Sequence, residues 1–315
     1  MHIFIAKRLL VAIPTLLLVS IFVFLLQKLL PGDPILALAG EERDPVVLAQ
    51  MRESLGFNDP LIVQYLRWIG GAVTGDLGTS LRTGQPVMEL IGQKLPVTIQ
   101  LAVMALAIAF VFGVPAGIYA AVRKRRFGDH AANFIALTAL SVPNFWLGIM
   151  LILLVSVNLQ WLPASGYVAP SQDLALSIKT MIMPACVLAT SLAATLLRHT
   201  RSSMMGVLKS DYIRTAKAKG LSDRTVVLGH AFRNAVLPVI TLTALLFGEL
   251  LAGAVLTEQI FTIPGFGKLI VDAVFTRDYA VVQGVVLCTA AGFILLNLIA
   301  DVLYVLLNPR LRSQL

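Results

Sequence analysis

Two carboxylates fall inside long apolar stretches of this sequence, Glu249 near the middle of one and Asp301 near the end of another. An ionisable side chain there either serves a route for ions or substrate or pairs with a polar neighbour between helices. Asp301, close to the chain end, suits the pairing role, and for Glu249 both roles stay open. Asn144 follows Pro143 in "SVPNFW". The proline frees a backbone carbonyl, and the asparagine amide could bridge to another helix or line a passage. Pro143, Asn144 and Glu249 are thus the candidates for a path through the molecule. One central acid is thin equipment for a proton-driven pump, which needs a relay.

Covalent and metal chemistry find no footing. The chain holds no H-E-x-x-H, no G-x-S-x-G and no metal-ligand spacing of Cys and His. Its two cysteines, Cys186 and Cys288, lie in apolar stretches and read as small buried hydrophobes. "PGFGKL" at 264–269 sets a lysine behind a glycine but lacks the spacing and the hydroxyl residue of a phosphate-cradling P-loop. The chain is therefore not expected to be an enzyme or to hold a metal or cofactor of its own.

Recognition by another protein is the chemistry that remains. "DYIRTAKAKG", Asp211 to Gly220, is polar and basic between two apolar stretches. Asp211 suits a helix N-cap or first turn, and Gly220 a left-handed stop. Ala216, Ala218 and Gly220 offer little side chain, so another backbone could approach closely. Tyr212 and Leu221 could fill apolar hollows, and Arg214, Lys217 and Lys219 could meet an acidic rim. With Thr215, these residues compose a helix suited to a groove. A basic helix lying on anionic lipid would also account for the lysines, but not for the small residues or the glycine break.

The elements that must position these residues follow from composition. Of 315 residues, 57% are hydrophobic and 13% charged, with mean hydropathy +0.84. That composition describes an all-α membrane protein crossing the bilayer several times. The net charge of +8 belongs to cytoplasmic loops rather than to nucleic acid. Six spans are expected, at Leu9–Leu30, Pro96–Val122, Asn133–Val157, Ile178–Leu197, Ala235–Thr257 and Ala280–Leu307. The first could be a signal peptide with Ala37-Leu38-Ala39 as its cleavage site, but a largely apolar run of 22 residues exceeds the usual apolar core of such a peptide, so a retained helix is expected. His199 falls just past the fourth span.

With both termini in the cytoplasm, 16 of the 25 lysines and arginines lie on the inner side. The parts are then a tail and first helix (1–30), an outer cap (31–95), a five-helix core (96–307) with a cytoplasmic loop (198–234), and an inner tail (308–315). The cap carries 8 acids against 5 bases, and "PVVLAQMRESLG" and "PLIVQYLRWIGGAV" suggest short amphipathic helices within it.

"DYIRTAKAKG" followed by "HAFRNAVLPV" resembles the cytoplasmic loop of bacterial ABC-transporter permeases of the dipeptide, oligopeptide and nickel type. The wider family has Glu-Ala-Ala, three residues, Gly, then Leu-Pro about a dozen positions on. Here Thr215, Ala216 and Gly220 match, the glutamate is absent, and Leu237-Pro238 comes five residues after that place. That departure is the habit of the permease type with a long first outer loop. "LLPGDP" (29–34), "GDLGTS" (75–80), "IFTIPGFGKL" (260–269), "RDYAVVQG" (277–284) and "NPRLR" (308–312) are similar to the same type.

The resemblance, which covers nearly the whole chain, implies a six-helix type I ABC importer permease in the bacterial inner membrane. It implies a second, homologous permease, two cytosolic P-loop ATPases that bind the ATP and Mg, and an extracytoplasmic binding protein, with membrane lipid around them and no nucleic acid. Asp211 to Leu221 would be the ATPase-coupling helix. The cargo implied first is di- or oligopeptide, with nickel chelates, glutathione or opine-like compounds as alternatives. From other classes, a self-assembling channel would need a polar pore ring and no ATPase handle. A secondary transporter would show internal repeats and more buried ionisable groups.

Overall fold

A computed structural model describes residues 2–29, 34–39 and 44–307. The "NPRLR" motif, the tail 308–315 and the centre of "LLPGDP" lie outside the described residues. The described chain is helical without a β-strand, in keeping with the all-α expectation. Its helices are α1 (His2–Leu29), α2 (Pro34–Ala39), α3 (Pro45–Ser54), α4 (Leu61–Val73), α5 (Val87–Val122), α6 (Phe127–Ser141) and α7 (Asn144–Leu151). There follow α8 (Leu174–Val207), α9 (Asp211–Ala218), α10 (Phe232–Gly253), α11 (Val255–Ile260), α12 (Phe266–Thr276) and α13 (Tyr279–Leu307). Ile152–Asn158 extends α7, and Thr225–Ala231 leads into α10, each with wider π-helical hydrogen bonding.

Among the described residues, five helices are long and apolar enough to cross a membrane: Arg8–Leu26, Val87–Val122, Leu174–Val207, Thr225–Leu251 and Tyr279–Val302. The expected third span, Asn133–Val157, is instead two helices, Phe127–Ser141 and Asn144–Asn158, bent by 93°. Pro143 explains the break. It lacks an N–H to donate, and it holds the preceding Val142 in an extended conformation (φ −79°, ψ 123°). The fourth span also outruns its expected end. Residues 198–207 continue α8, so His199 lies within a helix and the segment joining α8 to the next membrane helix shrinks to about 208–224.

The chain folds as two compact units, residues 1–98 with 264–294, and 99–263 with 295–315. In the first, Leu77, Val87, Leu90, Ile91, Phe266, Ala273, Val281 and Val285 make the core. Two of the sequence motifs meet beside it. Ser80 of "GDLGTS" donates its hydroxyl proton to Asp278 of "RDYAVVQG" at 2.5 Å, and the same carboxylate accepts the N–H groups of Leu81 at 3.3 Å and Val281 at 3.5 Å. Asp278 thus closes the start of α13 and holds the 75–80 loop.

In the second unit, α8 is the central helix, packed against α6 and α10. Gly113 and Gly117 of α5 let it approach α8. A Cβ at Gly113 would stand 2.6 Å from the Ala193 carbonyl oxygen, and one at Gly117 2.7 Å from that of Leu197. Small residues four apart are the usual means of such contact between apolar helices.

Candidate functional site

The segment between α8 and α10 is built to present one short helix. Ser210, extended at φ −71° and ψ 151°, starts α9, so Asp211 occupies the first helical position rather than the cap. The acid at this end and Lys217 in the last turn both complement the helix dipole. Asp211 and Arg214 form an exposed ion pair at 2.9 Å, and the Thr215 hydroxyl bonds back to the Asp211 carbonyl at 3.0 Å. After Ala218 the chain turns at Gly220, whose φ of +76° favours glycine. The Gly220 N–H reaches the Lys217 carbonyl at 2.9 Å, and the Leu221 N–H reaches that of Ala216 at 3.4 Å. The Ser222 hydroxyl then bonds that of Thr225 at 2.9 Å as the next helix starts.

One side of α9 is spent on holding it down. Ile213 (1% exposed) and Ala216 (7% exposed) join Ala121, Met204, Val226, Ala231 and Ala235 in a buried cluster. The Tyr212 hydroxyl accepts a hydrogen bond from the Asn234 amide at 2.9 Å. The small side chain of Ala216, read from the sequence as room for a partner, therefore serves close packing within this chain. The exposed side carries Arg214, Thr215, Lys217, Ala218, Lys219, Gly220 and Leu221. It is basic, and around Gly220 it is open, with nothing within 4 Å of a Cβ placed there.

The three path candidates are not brought into one cluster. Pro143 is exposed and lines a mainly apolar hollow of about 610 Å³ with Phe134, Leu137, Val142, Phe145 and Trp146 among others. Asn144 is half-buried at the start of α7, and Glu249 is exposed on α10. Among the described residues no hydrogen bond joins Asn144 to Glu249. Asp301 is half-buried and has an interaction partner.

Sequence reasoning missed the charged pair that organises this unit. Arg201 on α8 grips Asp129 on α6, with Nε 2.5 Å from Oδ1 and Nη2 2.9 Å from Oδ2. Asp129, 2% exposed, also accepts the Arg125 N–H and the Asn133 amide, each at 2.9 Å. All four contacts suit a buried carboxylate. A polar cavity of about 420 Å³ adjoins the pair, lined by Asn133, Thr195, Arg198, His199, Arg201 and Ser202. The available signal is an acid three residues past the "RKRR" run and an arginine in the stretch 198–207, which the sequence reads as loop and the structure continues as α8.

Two family models match the chain. Residues 113–313 match the binding-protein-dependent transport system inner membrane component. Residues 1–102 match the N-terminal part of the membrane components of such systems. A glutathione transport system permease protein of Salmonella paratyphi A is 44% identical over 311 residues, 99% of each chain. Its counterpart in Escherichia coli O6:H1 is 43% identical over the same share. A putative peptide transport system permease protein of Brucella abortus is 42% identical over 309 residues, 98% of each chain. A crystal structure of an amino acid ABC transporter with histidines matches 70% of this chain and 94% of its own, at 16% identity and a TM-score of 0.46.

Proposed function

The chain belongs to the family of inner-membrane components of binding-protein-dependent transport systems, and from that premise we propose how it takes part in transport. It is a multi-pass permease subunit of an ABC importer of the peptide type, a transport component rather than a catalyst. The cargo we assign is peptide, with glutathione, itself a short peptide, the nearest alternative. The relatives named for these two cargoes match about equally well, at 44% and 42% identity. A binding protein that selects cargo outside the membrane leaves the permease little need to do so, which is why no cargo-specific cluster stands out.

The exposed, basic, glycine-stopped α9 carries the mechanistic part of this reading. It is the coupling helix, seated in a groove of a cytosolic ATPase that binds the ATP and Mg. Both termini lie in the cytoplasm, and a second, homologous permease shares the path. When the two ATPases close on ATP, the groove drags α9. The buried Ile213 and Ala216 and the Tyr212–Asn234 bond pass that motion into α8 and α10. Pro143, Asn144 and Glu249 are assigned to the path, where the 93° break beside Pro143 supplies irregular backbone of the kind that lines cavities.

The test is to tag the chain, extract its complex gently from its native membrane and identify what accompanies it. Recovery of a second six-span permease and P-loop ATPases is the expected result. Repeated isolation of a homo-oligomer without an ATPase, under conditions that preserve known complexes, would overturn the reading in favour of a channel.

A further inference from the structure

The helix α4 belongs to the segment read from the sequence as a cap outside the membrane. It has 13 residues, about 20 Å of helix, and cannot cross the roughly 30 Å of hydrocarbon in a bilayer. Yet it carries more exposed apolar surface than a watery cap should. Ile62 is 73%, Leu66 60% and Val73 82% exposed.

Three stripes run along it. At 3.6 residues per turn, Ile62, Leu66, Ile69 and Val73 fall within about 60° of one another. Tyr65 and Trp68 lie about 100° round from that stripe. Gln64, Arg67 and Gly71 lie on the far side from it. The Tyr65–Trp68 stripe is already occupied by α1. The Ser20 and Tyr65 hydroxyls bond at 2.8 Å. The Phe24 ring packs edge-on to Tyr65 at 5.5 Å and stacks with Trp68 at 6.3 Å. The Lys28 ammonium donates to the Gln64 amide oxygen at 2.7 Å and stands 5.2 Å from the Phe57 ring centre.

Those contacts fix the depth of α4. Ser20, Phe24 and Lys28 follow one another at every fourth residue, so they share one face of α1. The apolar span of α1 ends at Leu26. Ser20 therefore lies about 9 Å inside that end, Phe24 is also within the span, and Lys28 is just past it. A helix whose tyrosine bonds to Ser20 and whose tryptophan stacks on Phe24 cannot stand clear of the bilayer.

We propose that α4 is an interfacial helix, embedded in the outer leaflet beside α1, with its Ile62–Leu66–Ile69–Val73 face against lipid acyl chains. The rest of the helix suits that position. Tyr65 and Trp68 belong to the residue types that gather at the headgroup level. Arg67 turns away from the acyl face and pairs with Asp59 at 2.7 Å. The neighbouring α1 also leaves apolar side chains uncovered, with Leu18, Phe22 and Leu25 exposed, as on a helix bathed in lipid.

The test uses the whole importer in liposomes, with Cys186 and Cys288 replaced by alanine. Single cysteines at Ile62, Val73 and Arg67 carry a spin label. Collision rates are then measured with oxygen, which concentrates in lipid, and with a water-soluble nickel chelate. The expected oxygen-to-nickel ratio at Ile62 and Val73 is severalfold above that at Arg67. Leu66→Cys replaces either apolar reporter if that variant fails to assemble. Ready access of the nickel chelate to Ile62 and Val73 would overturn the proposal in favour of a water-exposed cap. Immobile labels shielded from both reagents would overturn it in favour of a protein partner on this face. The readout is lipid contact, so the result stands apart from the coupling role assigned to α9.

Discussion

Two short helices of this protein, α4 and α9, lie against longer membrane helices and are made of opposite material. In α9 Ile213 and Ala216 are turned inward, and what remains outside is mainly charged or polar. In α4 no residue is fully buried, the helix leans on α1 through aromatic rings and a lysine, and what remains outside is apolar apart from Arg67. An exposed charged face needs a solvated or charge-bearing partner, whereas an exposed apolar face is at home in lipid. The pair shows that a short helix in a membrane protein is read from what its own chain leaves uncovered, not from its overall polarity.

The contrast can be broken at several points, which differ in cost. The largest effect is expected elsewhere in the unit that carries α9, at the Asp129–Arg201 pair. Asp129→Ala removes the partner of a largely buried arginine and should cost about 3 kcal/mol, read as a lower melting temperature of the purified complex. Lipid contact at α4 should not change. Next comes the anchor of α9 itself. Ile213→Ala should cost about 2 kcal/mol and free the helix locally, read as faster amide exchange across 211–218 with the rest of the chain protected. On the other helix, Tyr65→Phe removes one hydroxyl bond to Ser20, worth about 1 kcal/mol. The aromatic packing should survive, so spin labels on α4 should become only slightly more mobile. The smallest effect is Arg67→Ala. Its exposed pair with Asp59 is worth under about 1 kcal/mol, and neither melting nor transport should change measurably.

Much of this was legible in the sequence, for reasons that particular residues make plain. The apolar runs gave the spans, because twenty apolar residues in a row have few other homes. Gly220 gave the stop of α9, because a left-handed turn has few other occupants. The structure moves two readings and adds one contact. Residues 198–207 look like a polar loop because Arg198, His199 and Arg201 interrupt the apolar run, yet they continue α8, where Arg201 has a buried partner in Asp129. Pro143 reads as a proline that frees a carbonyl within a single span, but the backbone turns by 93°, which no local pattern states. The clamp from Ser80 to Asp278 joins residues 198 positions apart. Both motifs were visible, but a contact at such separation leaves no periodic trace in a single sequence.

The most direct test of the coupling role is ATP hydrolysis by the reconstituted importer, stimulated by its binding protein, with Gly220→Trp compared with Gly220→Ala. Both variants carry the strain of a side chain at φ +76°, about 1 kcal/mol, and neither meets an atom of this chain within 4 Å at the Cβ. Only tryptophan adds bulk where an ATPase groove would close. Insertion should be normal for both, with hydrolysis retained by Gly220→Ala and stimulation abolished by Gly220→Trp. Normal stimulated hydrolysis and transport by Gly220→Trp would contradict the account and remove α9 from the coupling role.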